Sequence, residues 1–215
     1  MHLYLIRHGQ SVENTMAWDG RNDNSALTET GQAQAQALAE WLASRVQFDR
    51  FYVSTMQRTR QTAAPLVPHL TCTPIYSDEL REVGNAYPDG RPFPDDALPM
   101  YYQDVWGSTH PYDPVTENGE NWMQFRARVG AFLQKLINER PNNQVGYTVG
   151  VVCHGGVIEG FFEHIFQKGP ISPLVIHTNN TGITLLEYSP TPRKMPDWWL
   201  RYHNNTRHLS EDLIT

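Results

Sequence analysis

The chain has little cysteine. Only Cys72 and Cys153 occur among 215 residues, too few for a disulfide framework and without metal-ligand spacing; such usage suits a reducing compartment. Cys153 reads as a small hydrophobe at a strand end rather than a nucleophile. There is no run of about 20 apolar residues to span a bilayer, and an excess of cations is missing too. With a formal net charge of −6, general attraction to nucleic acid or an anionic membrane is not expected, so any anion-binding site must be local. Internal repeats and low-complexity runs are also absent, which excludes solenoids and arrays. Residues 1–3 lead straight into an apolar run without a basic start or a small-residue cleavage site, so no secretory signal is expected and the protein is expected to stay in the cytoplasm.

What the chain does contain is alternation. Leu3 to Ile6 is a short apolar run with the character of a strand buried on both faces. From Thr28 a helical pattern begins, with Ala35, Leu38, Ala39, Leu42 and Val46 on one stripe. Arg50 to Ser54 reads as a second strand, Arg58 to Leu70 as a second helix stopped by Pro68, and Thr73 to Ser77 as a third short strand. Trp122, Phe125, Val129, Phe132 and Leu136 mark a third helix, ended by the hydrophilic stretch Asn138 to Gln144. Val145 to Cys153 follows as a buried strand, then a helix with the apolar face Val157, Ile158, Phe161, Phe162 and Ile165. Ile183 to Tyr188 and Trp198 to His203 are the last expected strands, connected by Ser189 to Pro196. This order predicts a three-layer α/β/α sandwich with a mostly parallel central sheet.

One stretch breaks the alternation. Residues 84–118 carry six prolines and six aromatics (Tyr87, Phe93, Tyr101, Tyr102, Trp106 and Tyr112). Proline at that density opposes a long regular element, and the aromatics favour a packed lid over a disordered linker. The expectation is one domain over residues 1–215 with a lid-like insertion at about 84–118.

Three expected strands end in reactive polar groups: Arg7-His8-Gly9, Ser54 leading to Arg58, and His154-Gly155-Gly156. In open α/β sheets ligands bind beyond the carboxyl ends of the strands, and a glycine there lets the backbone approach whatever is bound. As parallel neighbours, these strands would gather two imidazoles, two guanidiniums and a helix N-terminus at one edge. Guanidinium forks match phosphate oxygens, and unpaired amides at a helix start add positive potential. A metal site is the competing reading of the two histidines. It is the weaker one, because cations beside them would oppose a dication and no carboxylate or further histidine stands at ligand spacing.

The sequence resembles the histidine phosphatase superfamily, in its phosphoglycerate mutase-like branch. The resemblance rests on Leu5-Ile6-Arg7-His8-Gly9-Gln10-Ser11 with Asn14, on Leu27-Thr28-Glu29-Thr30-Gly31 with Gln34-Ala35, and on the block from Ser54 to Ala63. Leu80-Arg81-Glu82 with Gly84, Gly119-Glu120 and His154-Gly155-Gly156 complete it. It implies that neutral His8 attacks phosphorus and becomes a phosphohistidine that water hydrolyses, and that the other ring nitrogen donates to a backbone carbonyl. Arg7, Arg58 and His154 would hold the phosphate oxygens, with Gly9, Asn14 and Gly155 beside them. Glu82 takes the position of the general acid, which requires surroundings that keep a proton on it. Without the resemblance, Glu82 would read as the partner of Arg81 or a turn cap. Glu120 is open between a site role and complementarity to a helix dipole.

His2, His69, His110, His164, His177, His203 and His208 are expected to be surface or packing residues, and Asn179 to Gly182 reads equally as a phosphate neighbour or a turn. Neither cofactor nor metal is expected, and the expected partner is a small-molecule phosphomonoester, not nucleic acid or membrane. Nothing in the sequence speaks to oligomeric state.

Residues 84–118 hold one cation, Arg91, against Asp89, Asp95, Asp96, Asp104, Asp113 and Glu117, a poor cradle for the second anionic group a mutase must bind. A phosphatase acting on a less charged, partly apolar ester is therefore favoured; the alternatives are mutase-type phosphoryl transfer and a silent phosphate-binding module. Gly84-Asn85-Ala86-Tyr87-Pro88 and Asn121 depart from the pattern of related sequences, which puts the substrate in question more than the reaction.

Overall fold

The strand-forming runs assemble into one six-stranded sheet of order β3-β2-β4-β1-β5-β6 in a computed structural model of the chain. The structure describes residues 1–15, 22, 24–102, 110–141, 144, 146–170, 174–190 and 197–215. Asp104, Trp106, the expected strand start at Val145 and residues 191–196 of the expected last connection lie outside that set.

Strand β1 (His2–Arg7) runs parallel to β4 (Thr148–Cys153), which is parallel in turn to β2 (Arg50–Ser54), and β2 to β3 (Ile75–Ser77). On the other side of β1 the sheet turns antiparallel through β5 (Ile183–Tyr188) and β6 (Trp198–Asn205). Strand β4 is buried along its whole length, as a two-faced central strand of Val and Cys should be.

Two apolar layers cover the sheet. Leu3, Leu5, Val149 and Val151 pack with Phe125, Val129 and Phe132 of α3 (Trp122–Glu139) and Phe161 of α4 (Gly155–Ile165). On the opposite face Ile6, Val53 and Val152 pack with Leu38 and Leu42 of α1 (Glu29–Ala43) and Ala63 of α2 (Gln57–Ala63). The result is the expected three-layer sandwich.

The boundaries follow local chemistry. Thr28 caps α1 by accepting the Gly31 amide at 3.1 Å. Asn121 caps α3 reciprocally with Gln124, so this departure from related sequences serves a helix start. Helix α2 is shorter than its expected span to Leu70. It ends at Ala63, since Pro65, two residues on, brings no N–H to the ladder, and Pro68 sits instead in a separate 3-10 turn, Val67–His69. The third and fourth strands begin later than expected, at Ile75 and Thr148, and the last extends two residues further, to Asn205.

In the 84–118 stretch, Phe93 and Val115 are buried, and short bridges join Ala86 to Pro92, Tyr101 to Thr116 and Pro114 to Asn121. The described part is thus packed loop, with Tyr102 and Tyr112 left exposed.

Candidate active site

The parallel run β2-β4-β1 sends three strand ends to one edge, where Arg7, His8, Asn14, Arg58, Glu82, Gly155 and Gly156 line a cavity of about 300 Å3. His8 leaves β1 with its amide donating to the Cys153 carbonyl at 2.9 Å. Its own carbonyl accepts from the Thr181 amide at 3.2 Å and from Asn180 Nδ2 at 3.0 Å. The stretch Asn179 to Gly182 is therefore a buttress for His8 and lies at the site. His8 Nδ1 stands 2.7 Å from the Gly9 carbonyl. A carbonyl can only accept, so Nδ1 carries the proton and Nε2 keeps its lone pair.

His154 caps the start of α4, with its ring centroid 5.1 Å from that of His8 at an interplanar angle of 63°. Its Nε2 is 2.9 Å from Ser54 Oγ, a contact made directly across the β2–β4 pair. Both imidazoles are buried. Burial, followed by the charges of Arg58 and Arg7, holds His8 well below the ordinary imidazole range. His154 is held down by burial, then Arg58 and His8. Both rings are neutral at physiological pH.

Arg58 is 1% exposed and meets Glu13 at 3.2 Å. Arg7 is half-buried, and desolvation lowers its affinity for a proton although Glu82 opposes the shift; its Nη1 donates to the Thr178 carbonyl at 2.5 Å. Arg7 Nε, Arg58 Nε and His154 Nδ1 have no hydrogen-bond partner among the described residues. Arg7 and Arg58 both line the cavity, and their buried, unsatisfied Nε donors are costly unless an anion binds there.

Asn14 turns its carbonyl oxygen to Asn180 Nδ2 at 3.1 Å and to the Ser11 amide at 3.2 Å, so its remaining amide group serves the cavity. Glu82 does not pair with Arg81, which is bound to Asp78 and Asp95. Its Oε2 accepts the Gly156 amide at 2.9 Å and its Oε1 the Val83 amide at 3.0 Å, so an otherwise orphaned donor of the α4 N-terminus orients it. A side chain at residue 156 would collide with Oε1, which is why the second glycine is there. Glu120 is a buried partner of Arg128, not a site residue. Arg128 in turn donates to the Glu79 and Arg81 carbonyls at 2.7 and 3.0 Å, holding the chain that enters Glu82.

Gly9 is not among the residues that line the cavity. Its amide donates to Thr62 Oγ1 at 2.9 Å, and a Cβ on it would stand 2.6 Å from the Gly31 carbonyl oxygen. The close approach it permits is that of the start of α1, not of a ligand. His177 is exposed, as expected, and it lines the outer cavity with Val175 and Ile176.

Sequence reasoning missed Glu13, Tyr101, Glu159 and Thr178, all on the cavity wall. For Glu159 a signal existed, because it follows Gly155 by four residues in a helical pattern and so shares its face. Tyr101 reaches the cavity from the 84–118 stretch, donating to the Val83 carbonyl at 3.0 Å; burial, with Glu13 and Glu82, pushes its phenol up and keeps it protonated. It is the aromatic of that stretch found on the cavity wall among the described residues. The apolar lining comes instead from Val175 and Ile176.

Residues 3–201 match the family model described as histidine phosphatase superfamily, branch 1. A probable phosphatase of Schizosaccharomyces pombe is 30% identical over 195 residues, 87% of this chain and 87% of its own length. A broad-specificity phosphatase of Saccharomyces cerevisiae is 24% identical over 216 residues, 98% of this chain and 88% of its own. The phosphoserine phosphatase of Entamoeba histolytica, solved in complex with 3-phosphoglyceric acid, superposes with a TM-score of 0.71 at 20% identity over 97% of this chain and 99% of its own, a likeness of fold. With a family match across nearly its whole length, the chain belongs to the histidine phosphatase superfamily, branch 1.

Proposed function

We propose that this histidine phosphatase hydrolyses a small phosphomonoester through a phosphohistidine on His8, without a metal ion. The observation that carries the reading is the His8 ring itself: it is neutral, its proton is held on Nδ1 by the Gly9 carbonyl, and it lines one cavity with Arg7 and Arg58, whose Nε donors are unsatisfied, with the His154 ring 5.1 Å away. The Nε2 lone pair forms the N–P bond as the ester P–O bond breaks, and Glu82 gives its proton to the departing oxygen. Water then attacks the phosphohistidine, the Glu82 carboxylate takes a proton from it, and inorganic phosphate and free His8 are restored. Arg7, Arg58 and His154 bear the charge that builds on the non-bridging oxygens, and the amide groups of Asn14 and Gly155 supply further contacts.

The chain acts as one domain, with the 84–118 stretch as one wall of the cavity, a role that Tyr101 supports. A cytoplasmic setting fits the two free cysteines, and no helix among the described residues is long and apolar enough to cross a membrane.

The test is release of nitrophenol from p-nitrophenyl phosphate in the presence of a chelator. Turnover that resists the chelator, falls by roughly 1,000-fold or more in His8→Ala, and leaves an acid-labile phosphoryl group on the wild-type chain supports the reading. Turnover retained in His8→Ala sinks it. Transfer between phosphoglycerates that depends on a bisphosphate primer would mark a mutase instead.

A further inference from the structure

Beyond the phosphate position the cavity has an outer half, walled by Glu159, Val175, Ile176 and His177. Glu159 stands on α4 three residues after Gly156 and four after Gly155, so it shares a helix face with the glycines at the phosphate end. Four helical residues rise ~6 Å. That spacing sets its carboxylate about one turn outward, at the reach of a substituent one or two carbons from the ester oxygen.

The other carboxylates on the cavity are committed, Glu13 to Arg58 and Glu82 to the amides of Val83 and Gly156. The two guanidiniums belong to the phosphate, and no further Lys or Arg lines the cavity among the described residues. Among the described residues a second anion on the substrate would thus find no counter-charge in the outer half and would face Glu159.

We propose that Glu159 is a specificity-determining residue, accepting a hydrogen bond from an ammonium or hydroxyl group next to the ester and turning away phosphomonoesters that carry a carboxylate or second phosphate there. The inference rests on the phosphatase reading above. Several groups set the charge of Glu159. Burial and then Glu163, one turn along the same helix, push it up to about 7, with Lys168 and the Ile176 amide opposing and Glu82 adding. Glu163 is itself held by Arg126 at 2.9 Å, Lys168 at 3.4 Å and Trp122 Nε1 at 3.0 Å, while Arg7, Arg58, Glu13 and His177 share the cavity. The full charge of Glu159 therefore develops only as pH rises through neutrality.

The test compares kcat/KM for 2-aminoethyl phosphate, glycerol 3-phosphate and 3-phosphoglycerate in wild type, Glu159→Gln and Glu159→Lys. Each ratio is read within one protein, so a general loss of turnover or of folded fraction cancels. Wild type should prefer the aminoethyl ester over the carboxylated one by roughly tenfold or more, Glu159→Gln should shrink that preference by roughly tenfold and Glu159→Lys should invert it. The wild-type preference should also widen from about pH 6 to about pH 8 while that of Glu159→Gln stays level. Equal preferences in all three proteins overturn the inference and leave the phosphatase reading standing. Hydrolysis of p-nitrophenyl phosphate with none of the three esters cleaved overturns it as well, whereas no hydrolysis of any ester overturns both.

Discussion

A single imidazole is kept neutral here by what surrounds it, and a single carboxylate is aimed by what its neighbour lacks. Glu82 owes its position to the missing side chain at Gly156, where a methyl would meet Oε1. The obstruction is the far end of a flexible side chain, and alanine is the better helix former, so Gly156→Ala should fold normally. It should nevertheless lose ~100-fold in turnover of an alkyl phosphate, whose leaving oxygen needs the proton, and far less on p-nitrophenyl phosphate, whose leaving group does not. Equal losses on both esters would remove Glu82 from the acid role. At this scale Arg7, His8, Arg58 and His154 were legible because cations and imidazoles recur at three expected strand ends, whereas Glu82 and Asn14 were legible only through the family resemblance. The silent partners were not. Glu13 and Thr178 are ordinary polar residues whose importance comes from facing Arg58 and Arg7 across large sequence separations.

Strands and helices hold those residues by backbone contact more than by side-chain filling. Gly9 and Gly31 let the start of α1 press onto the segment after β1, and a Cβ on Gly31 would run into the Gln10 carbonyl. Backbone cannot swing aside as a side chain can, so Gly31→Ala should destabilise the fold by about 1–3 kcal/mol. Urea unfolding measures this, with turnover expected to drop in parallel as His8 moves. Wild-type stability in that variant would mean the two segments are free to part. Helix and strand existence was legible from periodicity. Ends were less so: of two prolines close together, Pro68 reads in sequence as the stop of α2, while the helix already ends at Ala63, ahead of Pro65. Gly9 is a similar case. A glycine in sequence announces close approach without saying of what.

Over the whole molecule, the buried neutral imidazoles tie stability to pH. His8 and His154 bind protons far less readily folded than unfolded, and burial pushes His208 down to about 4. The unfolded chain takes up these three protons as pH falls through about 6.5, outweighing the native state's uptake on the raised carboxyls of Glu159 and Glu120, so stability drops toward acid. Tm should decline steadily from about pH 7 to about pH 5, and less steeply in His208→Asn; a level Tm across that range would contradict the account. The layered architecture was legible from the alternation of elements, whereas the strand order was not, since nothing local in β4 announces that it pairs with both β1 and β2. That arrangement bears on biosynthesis. During translation the first two strands emerge early but share no edge, and their common neighbour leaves the ribosome only after residue 153 has been added. Until then a nascent chain has His8 and Arg58 on segments with nothing to join them, so the cavity cannot be assembled piecemeal and the apolar strands must be kept from other chains in the meantime.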